Sequence, residues 1–176
     1  MKDEIVIYRS LSGFSEKYAR WIAEDLECGC VPYGEISKEE LLKYRRVVFG
    51  GYVRFEKLDA AKEIAEFISG LPDVVLYIVG ATPMTDRIAT GYMLRRTYRQ
   101  SKYFQFVPHF YLQGGMAIDR LGRMERFLVR IMIFIIKYLP FATKDMKDAG
   151  ERMGHSADFS NRANISALVE YVKAGR

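Results

Sequence analysis

A short stretch near the start of the chain has the residue types that bind a phosphate group. It reads Ser-Leu-Ser-Gly-Phe-Ser, residues 10–15, and lies between an apolar run and a segment with helical spacing. Serine hydroxyls donate hydrogen bonds, glycine lets the backbone curve around an anion, and a helix N-terminus favours negative charge. An ordinary turn in which Ser15 caps the helix fits the same residues equally well. Spacing alone therefore leaves both interpretations open.

The stretch differs from two common nucleotide-binding patterns. It contains neither G-x-G-x-x-G nor G-x-x-x-x-G-K-[ST], and no lysine stands where a nucleoside triphosphate would require one. If the stretch binds an anion, the pattern favours a monophosphate.

Residues that could carry catalysis or hold a metal are sparse. No Ser-His-Asp arrangement or carboxylate pair stands out, so we predict no catalytic side chain. Cys28 and Cys30 are too few and too close for a four-ligand site, and His109 and His155 have no partner at ligand spacing. We predict no metal site and two free thiols in a reducing cytoplasm.

Strand-like and helix-like segments alternate along the 176 residues. Strands are predicted at 5–8, 31–33, 46–49, 73–79 and 104–112, and the glycine pair Gly50-Gly51 is expected to end the third. Helices are predicted at 15–26, after a capping box of Ser37 and Glu40, and at 59–67, 88–99, 120–139 and 161–174. This order predicts one α/β domain over 1–176, a three-layer α/β/α sandwich with a five-stranded parallel sheet. Ligands of such sheets bind at the carboxyl ends of the strands.

The stretch Ser-Leu-Ser-Gly-Phe-Ser resembles the [ST]-x-[TSD]-G-x-[ST] phosphate loop of flavodoxin-like proteins, which bind FMN. The order of strand, loop and helix, with a third strand ending in Gly-Gly and aromatics (VVFGGYVRF), resembles that superfamily too. The resemblance implies a flavodoxin-like fold and FMN as cofactor, with Tyr52 as a candidate to stack on the flavin. The implied cofactor-binding residues are Ser10, Leu11, Ser12, Gly13, Phe14, Ser15, Gly51, Tyr52, Val53, Arg54, Gly114 and Gly115, together with the segment after Val79.

Two further stretches resemble one branch of that superfamily, the menaquinone-dependent protoporphyrinogen IX dehydrogenases. They are FYLQGGMAIDRLGRMERFLVRIMIFIIKYL and GGYVRF, the second being similar to that branch's G-x-x-[IV]-R-[YF]. The resemblance implies oxidation of protoporphyrinogen IX in heme biosynthesis, with electrons passed to a quinone.

The basic character of the chain is confined to its second half. Residues 1–88 carry 12 Lys and Arg against 15 Asp and Glu, whereas residues 89–176 carry 15 against 7. In the helix predicted at 120–139, Arg123, Arg126, Arg130 and Lys137 form a stripe opposite Leu128, Ile131, Met132, Ile135, Ile136 and Leu139. Such a helix could lie on an anionic membrane surface, or be a core or homodimer helix with solvated arginines.

Three classes of function remain open at this stage. The first is an FMN-dependent oxidoreductase of the protoporphyrinogen dehydrogenase type, and the second is a flavodoxin-type electron carrier that docks to a redox protein. The third is an interaction module that has the fold without the flavin. Motifs of nucleic-acid-binding proteins are missing, so nucleic acid is not an expected partner. A cytoplasmic location is expected because the sequence shows neither a signal peptide nor a long apolar run. If the helix at 120–139 lies on a membrane, the expected place is peripheral, at the inner face of the cell membrane.

Overall fold

The structure is a computed structural model that describes residues 2–117, 122–138 and 156–175. It divides into two compact units, Met1–Gly114 with Ser160–Arg176, and Gly115–Phe159. We describe each unit by itself.

The first unit alternates strands and helices, as the sequence predicts. Its elements are β1 (Lys2–Tyr8), α1 (Phe14–Leu26), β2 (Gly29–Pro32), α2 (Lys38–Leu41), β3 (Tyr44–Arg54), β4 (Lys57–Leu58), α3 (Ala61–Ile68), β5 (Val74–Gly80), α4 (Arg87–Gln100), a 3₁₀ turn (Lys102–Gln105), β6 (His109–Gln113), a second 3₁₀ turn (Arg162–Ile165) and α6 (Ser166–Ala174). Helix α5 comes before α6 in the chain and belongs to the second unit.

Five strands of this unit form a parallel sheet in the order β2-β1-β3-β5-β6. The predicted α/β architecture is confirmed, with one small addition: β4 pairs antiparallel with the end of β3 and makes a sixth strand. The strand order reverses between β1 and β3. Loops that leave these two strands therefore diverge and open a crevice at the carboxyl edge of the sheet, where ligands of this fold class bind.

Both faces of the sheet are covered, because successive residues of each strand point to opposite sides. On β5, Leu76 and Ile78 pack in a core with α3 and α4, whereas Tyr77 and Val79 pack in a second core with α1 and α6. Burial on both faces explains the near-continuous apolar run of β5, because a parallel strand covered on both faces needs apolar residues at every position.

Several predicted boundaries are wrong. The third strand does not end at Gly50-Gly51 but continues to Arg54. A Cβ atom at Gly50 would lie 1.9 Å from Cζ of Tyr77, so close approach of a buried ring, not a turn, requires glycine there. Helix α3 begins at Ala61 rather than at Asp59. The carboxylate of Asp59 does not cap this helix but binds the Tyr52 hydroxyl and the Arg9 guanidinium.

The later elements also differ in detail from the prediction. The predicted strand at 104–112 is a 3₁₀ turn followed by a shorter strand that starts at His109, and the predicted helix at 161–174 starts as a 3₁₀ turn. The capping box of Ser37 and Glu40 is confirmed at α2: the Glu40 N–H donates to Ser37 Oγ at 3.2 Å, and the Ser37 N–H to Glu40 Oε2 at 3.1 Å.

The second unit contains β7 (Gly115–Met116), α5 (Arg123–Tyr138) and β8 (Ala157–Asp158), and β7 pairs antiparallel with β8. The helix predicted at 120–139 corresponds to α5, although positions 120 and 139 lie outside the described residues. Exposed apolar side chains are frequent on α5: Met124, Phe127, Leu128, Ile131, Phe134 and Tyr138. Among the residues that the structure describes, no helix is long and apolar enough to cross a membrane.

Candidate functional site

The loop between β1 and α1 has the backbone geometry that its glycine predicts. Gly13 has φ 88°, in the left-handed region that glycine adopts without strain, and stands at the N-cap of α1. The Gly13 N–H donates to Ser10 Oγ at 3.0 Å, which closes the loop on itself. Gly13 has no side chain to cap the helix, so the positive end of the α1 dipole faces this loop.

Ser15 fastens this loop to the neighbouring strand. Its side chain is buried, and its hydroxyl donates to the carbonyl of Gly51 at 3.3 Å. The hydroxyl of Tyr77 donates in turn to the carbonyl of Ser15 at 2.9 Å. Ser15 therefore neither caps α1 through its side chain nor directs its hydroxyl away from the sheet. That Ser15 helps to hold a phosphate stays a prediction. It would do so through its backbone N–H and not through its hydroxyl.

The loop after β6 lies beside the same helix. The Gly114 N–H donates to the carbonyl of Gly80 at 2.8 Å. A Cβ at position 114 would lie 2.6 Å from Cγ1 of Val79 and 3.2 Å from Cβ of Phe14. The predicted residues Phe14 and Gly114 are thus brought together with the carboxyl end of β5. Gly115, the other predicted residue of this loop, belongs to the second unit.

Tyr111 holds the loop that follows β5. Its hydroxyl donates to the carbonyl of Thr82 at 2.9 Å, and its ring passes so close to Gly80 that a Cβ there would lie 2.6 Å from the hydroxyl oxygen. Burial raises the pKa of Tyr111 to about 12, so the phenol keeps its proton across the physiological range. The loop after Val79, predicted to flank a flavin, is therefore fixed at Thr82.

Tyr52 belongs to a charged network between β1 and β3. Its hydroxyl donates to Asp59 Oδ2 at 2.8 Å, and Arg9 Nε lies 3.3 Å from the same oxygen. Burial and the Asp59 carboxylate raise the pKa of Tyr52, because both disfavour the phenolate. Arg9 also lies 3.5 Å from a carboxylate oxygen of Glu63. Tyr52 is thus half-buried and held by its hydroxyl, and its predicted stacking on a ring stays a prediction.

The turn between β3 and β4 is a tight hairpin with unusual residues. Arg54 pairs with Lys57, and the two residues between them, Phe55 and Glu56, have φ of 50° and 60°. A two-residue hairpin with both central φ positive normally takes Asn and Gly. The Phe55 side chain is 67% exposed, and the Arg54 guanidinium lies 5.2 Å from its ring centroid.

The remaining predicted residues of this edge are divided between surface and core. Leu11 is exposed and Ser12 half-buried, whereas Val53 packs against the core and forms part of the wall around Gly80. The sequence prediction missed Arg9, Phe55, Asp59 and Tyr111. Phe55 directly follows the observed β3, which ends at Arg54, and the prediction of a strand over 46–49 hid this position. Arg9 lies 50 residues from Asp59 and 54 from Glu63 in the sequence, and Tyr111 lies 29 residues from Thr82.

Comparison with known families and proteins gives one match by sequence model. A family model described as a flavodoxin domain matches residues 5–139. No curated protein matches significantly.

Solved structures with similar backbones include flavodoxins at low sequence identity. An oxidised flavodoxin 2 from Bacillus cereus is 16% identical with a TM-score of 0.45, over 63% of this chain and 84% of its own. A flavodoxin from the domain Archaea is 12% identical with a TM-score of 0.45, over 97% and 99%. A mutant Fusobacterium nucleatum flavodoxin bound to flavin mononucleotide is 15% identical with a TM-score of 0.40, over 68% and 72%.

Proposed function

We propose that this chain, which belongs to the flavodoxin domain family, binds FMN at the carboxyl edge of its sheet. The phosphate would be held by the loop of residues 10–15, and the ring would lie among the loops after β3, β5 and β6. The observation that carries this proposal is the geometry of Gly13, which has φ 88° at the N-cap of α1, in the loop that leaves β1 where the strand order reverses.

The residues of this loop have the chemistry that a phosphate monoester requires. Ser10 and Ser12 carry hydroxyls that can donate, and residues 10–15 contain no acidic side chain that would repel a dianion. Ser10 Oγ accepts from the Gly13 N–H, so its own proton remains available for a phosphate oxygen. The loop thus combines backbone curvature, hydroxyl donors and a helix dipole, and it fits the proposed ligand.

Bound FMN would supply the redox chemistry, and the chain would position it. The residues that would do so are those that fix the loops: Ser15 ties the phosphate loop to Gly51, and Tyr111 ties the loop after β5. None of these contacts requires a side chain to transfer a proton.

The reaction we propose is oxidation of protoporphyrinogen IX to protoporphyrin IX, with a quinone accepting the electrons. Support comes from the resemblance of residues 110–139 and of GGYVRF to the dehydrogenase branch, and from the surface of α5. On that helix Arg123, Arg126 and Arg130 are exposed, as are the apolar residues beside them. We propose that α5 places the enzyme on an anionic membrane, where apolar substrates partition.

A second candidate function is electron transfer without a substrate of its own, as in a flavodoxin. The observation that favours it lies in the first unit, where the loops around the site and the start of α4 carry exposed apolar side chains: Leu11, Phe55, Met84 and Ile88. Such a rim suits contact with another protein.

The first experiment is the visible spectrum of the purified protein, followed by titration with FMN. We expect flavin absorbance, and tighter binding of FMN than of riboflavin because the loop recognises the phosphate. A protein that stays colourless, with an unchanged melting temperature at saturating FMN, would refute the proposal of a flavoprotein.

The second experiment separates the two redox roles. Turnover of protoporphyrinogen IX with a menaquinone analogue, above the rate of autoxidation, is expected of the dehydrogenase. An FMN-loaded protein without such turnover supports the carrier. Co-sedimentation with vesicles of phosphatidylcholine and phosphatidylglycerol, weakened by salt, tests α5 on the membrane. Self-association in place of vesicle binding would instead indicate a homodimer helix.

A further inference from the structure

Helix α4 has an exposed face that differs from an ordinary solvated one. Its buried side carries Met93 and Thr97, as expected for a helix on a sheet. Its opposite side carries Ile88 and Tyr92, which are 88% and 50% exposed. An isoleucine that contacts so little of its own chain contributes almost nothing to folding.

The same face continues into a cluster of positive charge. Arg95, Arg96 and Arg99 follow Ile88 and Tyr92 at helical spacing, and the helix contains four arginines and no acidic residue. Arg95 and Arg99 are exposed. The outward face of α4 is therefore apolar at its start and cationic towards its end.

The hairpin after β3 extends this face towards the candidate FMN site. Arg96 Nη1 lies 3.0 Å from Glu56 Oε2 and 3.2 Å from the Tyr92 hydroxyl. This contact brings the tip of the hairpin, with exposed Phe55, beside α4. At its other end, α4 follows the loop that Tyr111 fixes at Thr82. We call the surface of Phe55, Ile88, Tyr92, Arg95, Arg96 and Arg99 the α4 surface.

We propose that the α4 surface docks a redox protein with an acidic face, which exchanges electrons with the flavin. This inference rests on the proposed binding of FMN but holds for either redox role. An aromatic and aliphatic centre beside arginines has the composition of protein interfaces, in which Tyr, Phe and Arg are enriched. The exposed positive charges of Arg95 and Arg99 select an anionic partner and raise the rate of encounter.

A protein fits this surface better than a lipid bilayer does. A helix that lies in a membrane interface needs an apolar stripe along its whole length. The apolar part of α4 covers only its first half, and the hairpin tip that adjoins it is tied to α4 by an ion pair. A compact apolar centre next to charges matches the arrangement of binding hot spots.

The test uses two small redox proteins of opposite charge, an acidic rubredoxin and a basic cytochrome c. Binding of each to the FMN-loaded full chain is measured by fluorescence anisotropy of the labelled probe at about 20 mM and about 300 mM NaCl. We expect the rubredoxin to bind at low salt, at least tenfold more weakly at high salt, and more tightly than the cytochrome.

Variants locate the surface. Arg95→Glu with Arg99→Glu is expected to weaken rubredoxin binding at least tenfold, and Ile88→Ser severalfold at both salt concentrations. The matched control is Lys43→Glu with Lys173→Glu, an equal change of charge at exposed positions on other elements. It is expected to bind nearly as the parent chain does, and circular dichroism confirms that each variant is folded.

Several results would overturn the proposal. They are equal loss of binding in the control pair, no binding of rubredoxin at low salt, or binding of phosphatidylglycerol vesicles through Arg95 and Arg99 in place of the protein. Binding is measured without reference to turnover, and FMN content is read separately from absorbance. A failure of docking is therefore distinguishable from a failure of FMN binding.

Discussion

Two turns border the candidate site and reach positive φ in different ways. The loop after β1 places a glycine there, Gly13, and this position costs little. The hairpin after β3 and the entry to α3 place Phe55, Glu56 and Ala60 there, at about 1 kcal/mol or more each. Contacts from elsewhere hold the second turn: Arg96 binds Glu56, and Arg9 with Tyr52 binds Asp59.

A glycine permits a positive φ by itself, whereas at Phe55 and Glu56 the surrounding contacts impose it. A glycine in a loop therefore predicts a positive φ from the sequence, whereas a phenylalanine does not. Strained positions of this kind cluster at functional sites, and here the strained turn carries an exposed aromatic ring, Phe55, directly after the end of β3.

The largest expected effect comes from blocking the glycine-containing loop. Gly13→Glu would place a strained residue and a negative charge where the phosphate is proposed to bind. We expect FMN affinity to fall at least about 100-fold, measured by fluorescence titration, because like charges repel in a partly desolvated site.

Gly70→Glu is the matched control, because Gly70 has φ 82° and open space around it at the end of α3. It introduces the same strain and charge and should retain FMN. Equal loss of FMN in both variants would show that destabilisation, not the phosphate site, explains the effect.

The second prediction concerns the glycine pair of β3. Gly50→Ala would drive its Cβ into the buried ring of Tyr77, 1.9 Å from Cζ. We expect the free energy of unfolding to fall by about 3 kcal/mol, since a well-packed core accommodates extra volume poorly. Urea unfolding measures the change. Gly29→Ala on β2, where nothing lies within 4 Å, should alter stability by less than about 0.5 kcal/mol; similar losses in both would contradict the packing argument.

The third prediction is an alkaline loss of stability through Tyr111. Its pKa is about 12 in the folded chain against 10.0 ordinarily, so between these values the unfolded chain releases the proton first. The contribution of Tyr111 to the free energy of unfolding is therefore fully present below pH 10. It falls by about 1.4 kcal/mol per pH unit from pH 10 towards pH 12.

Tyr111→Phe removes this contribution and should make the decline shallower in urea unfolding at several alkaline pH values. Tyr77, whose pKa burial also raises, still titrates in the variant, so some decline remains. An unchanged slope would show that the Tyr111 phenol is not buried as described.

The smallest expected effect tests the strain in the hairpin. Glu56→Gly and Glu56→Ala both remove the exposed pair with Arg96, but only glycine relieves the φ of 60°. We expect the glycine variant to be more stable than the alanine variant by about 1 kcal/mol, by thermal or urea unfolding. If the two variants are equally stable, the positive φ carries no strain.

Sequence reasoning succeeded where a local pattern has one structural cause. The alternation of elements predicted the parallel sheet, and β5 was evident from an apolar run that only burial on both faces explains. It failed where a residue contacts a partner that lies far away in the sequence. The glycine pair of β3 was expected to end the strand, because nothing in the neighbouring residues indicates that Tyr77 and Leu58 fill the space above it.

The sequence by itself determined the α/β fold, the position of Gly13 and the basic character of the second half of the chain. Each of these depends on residue type and spacing within a short window. The tertiary structure alone decided that Ser15 is turned towards Gly51, that Tyr52 is bound to Asp59, and that Ile88 is left at the surface. Hydrogen bonds and burial between distant residues follow from how strands and helices pack, and packing is a property of the folded chain as a whole.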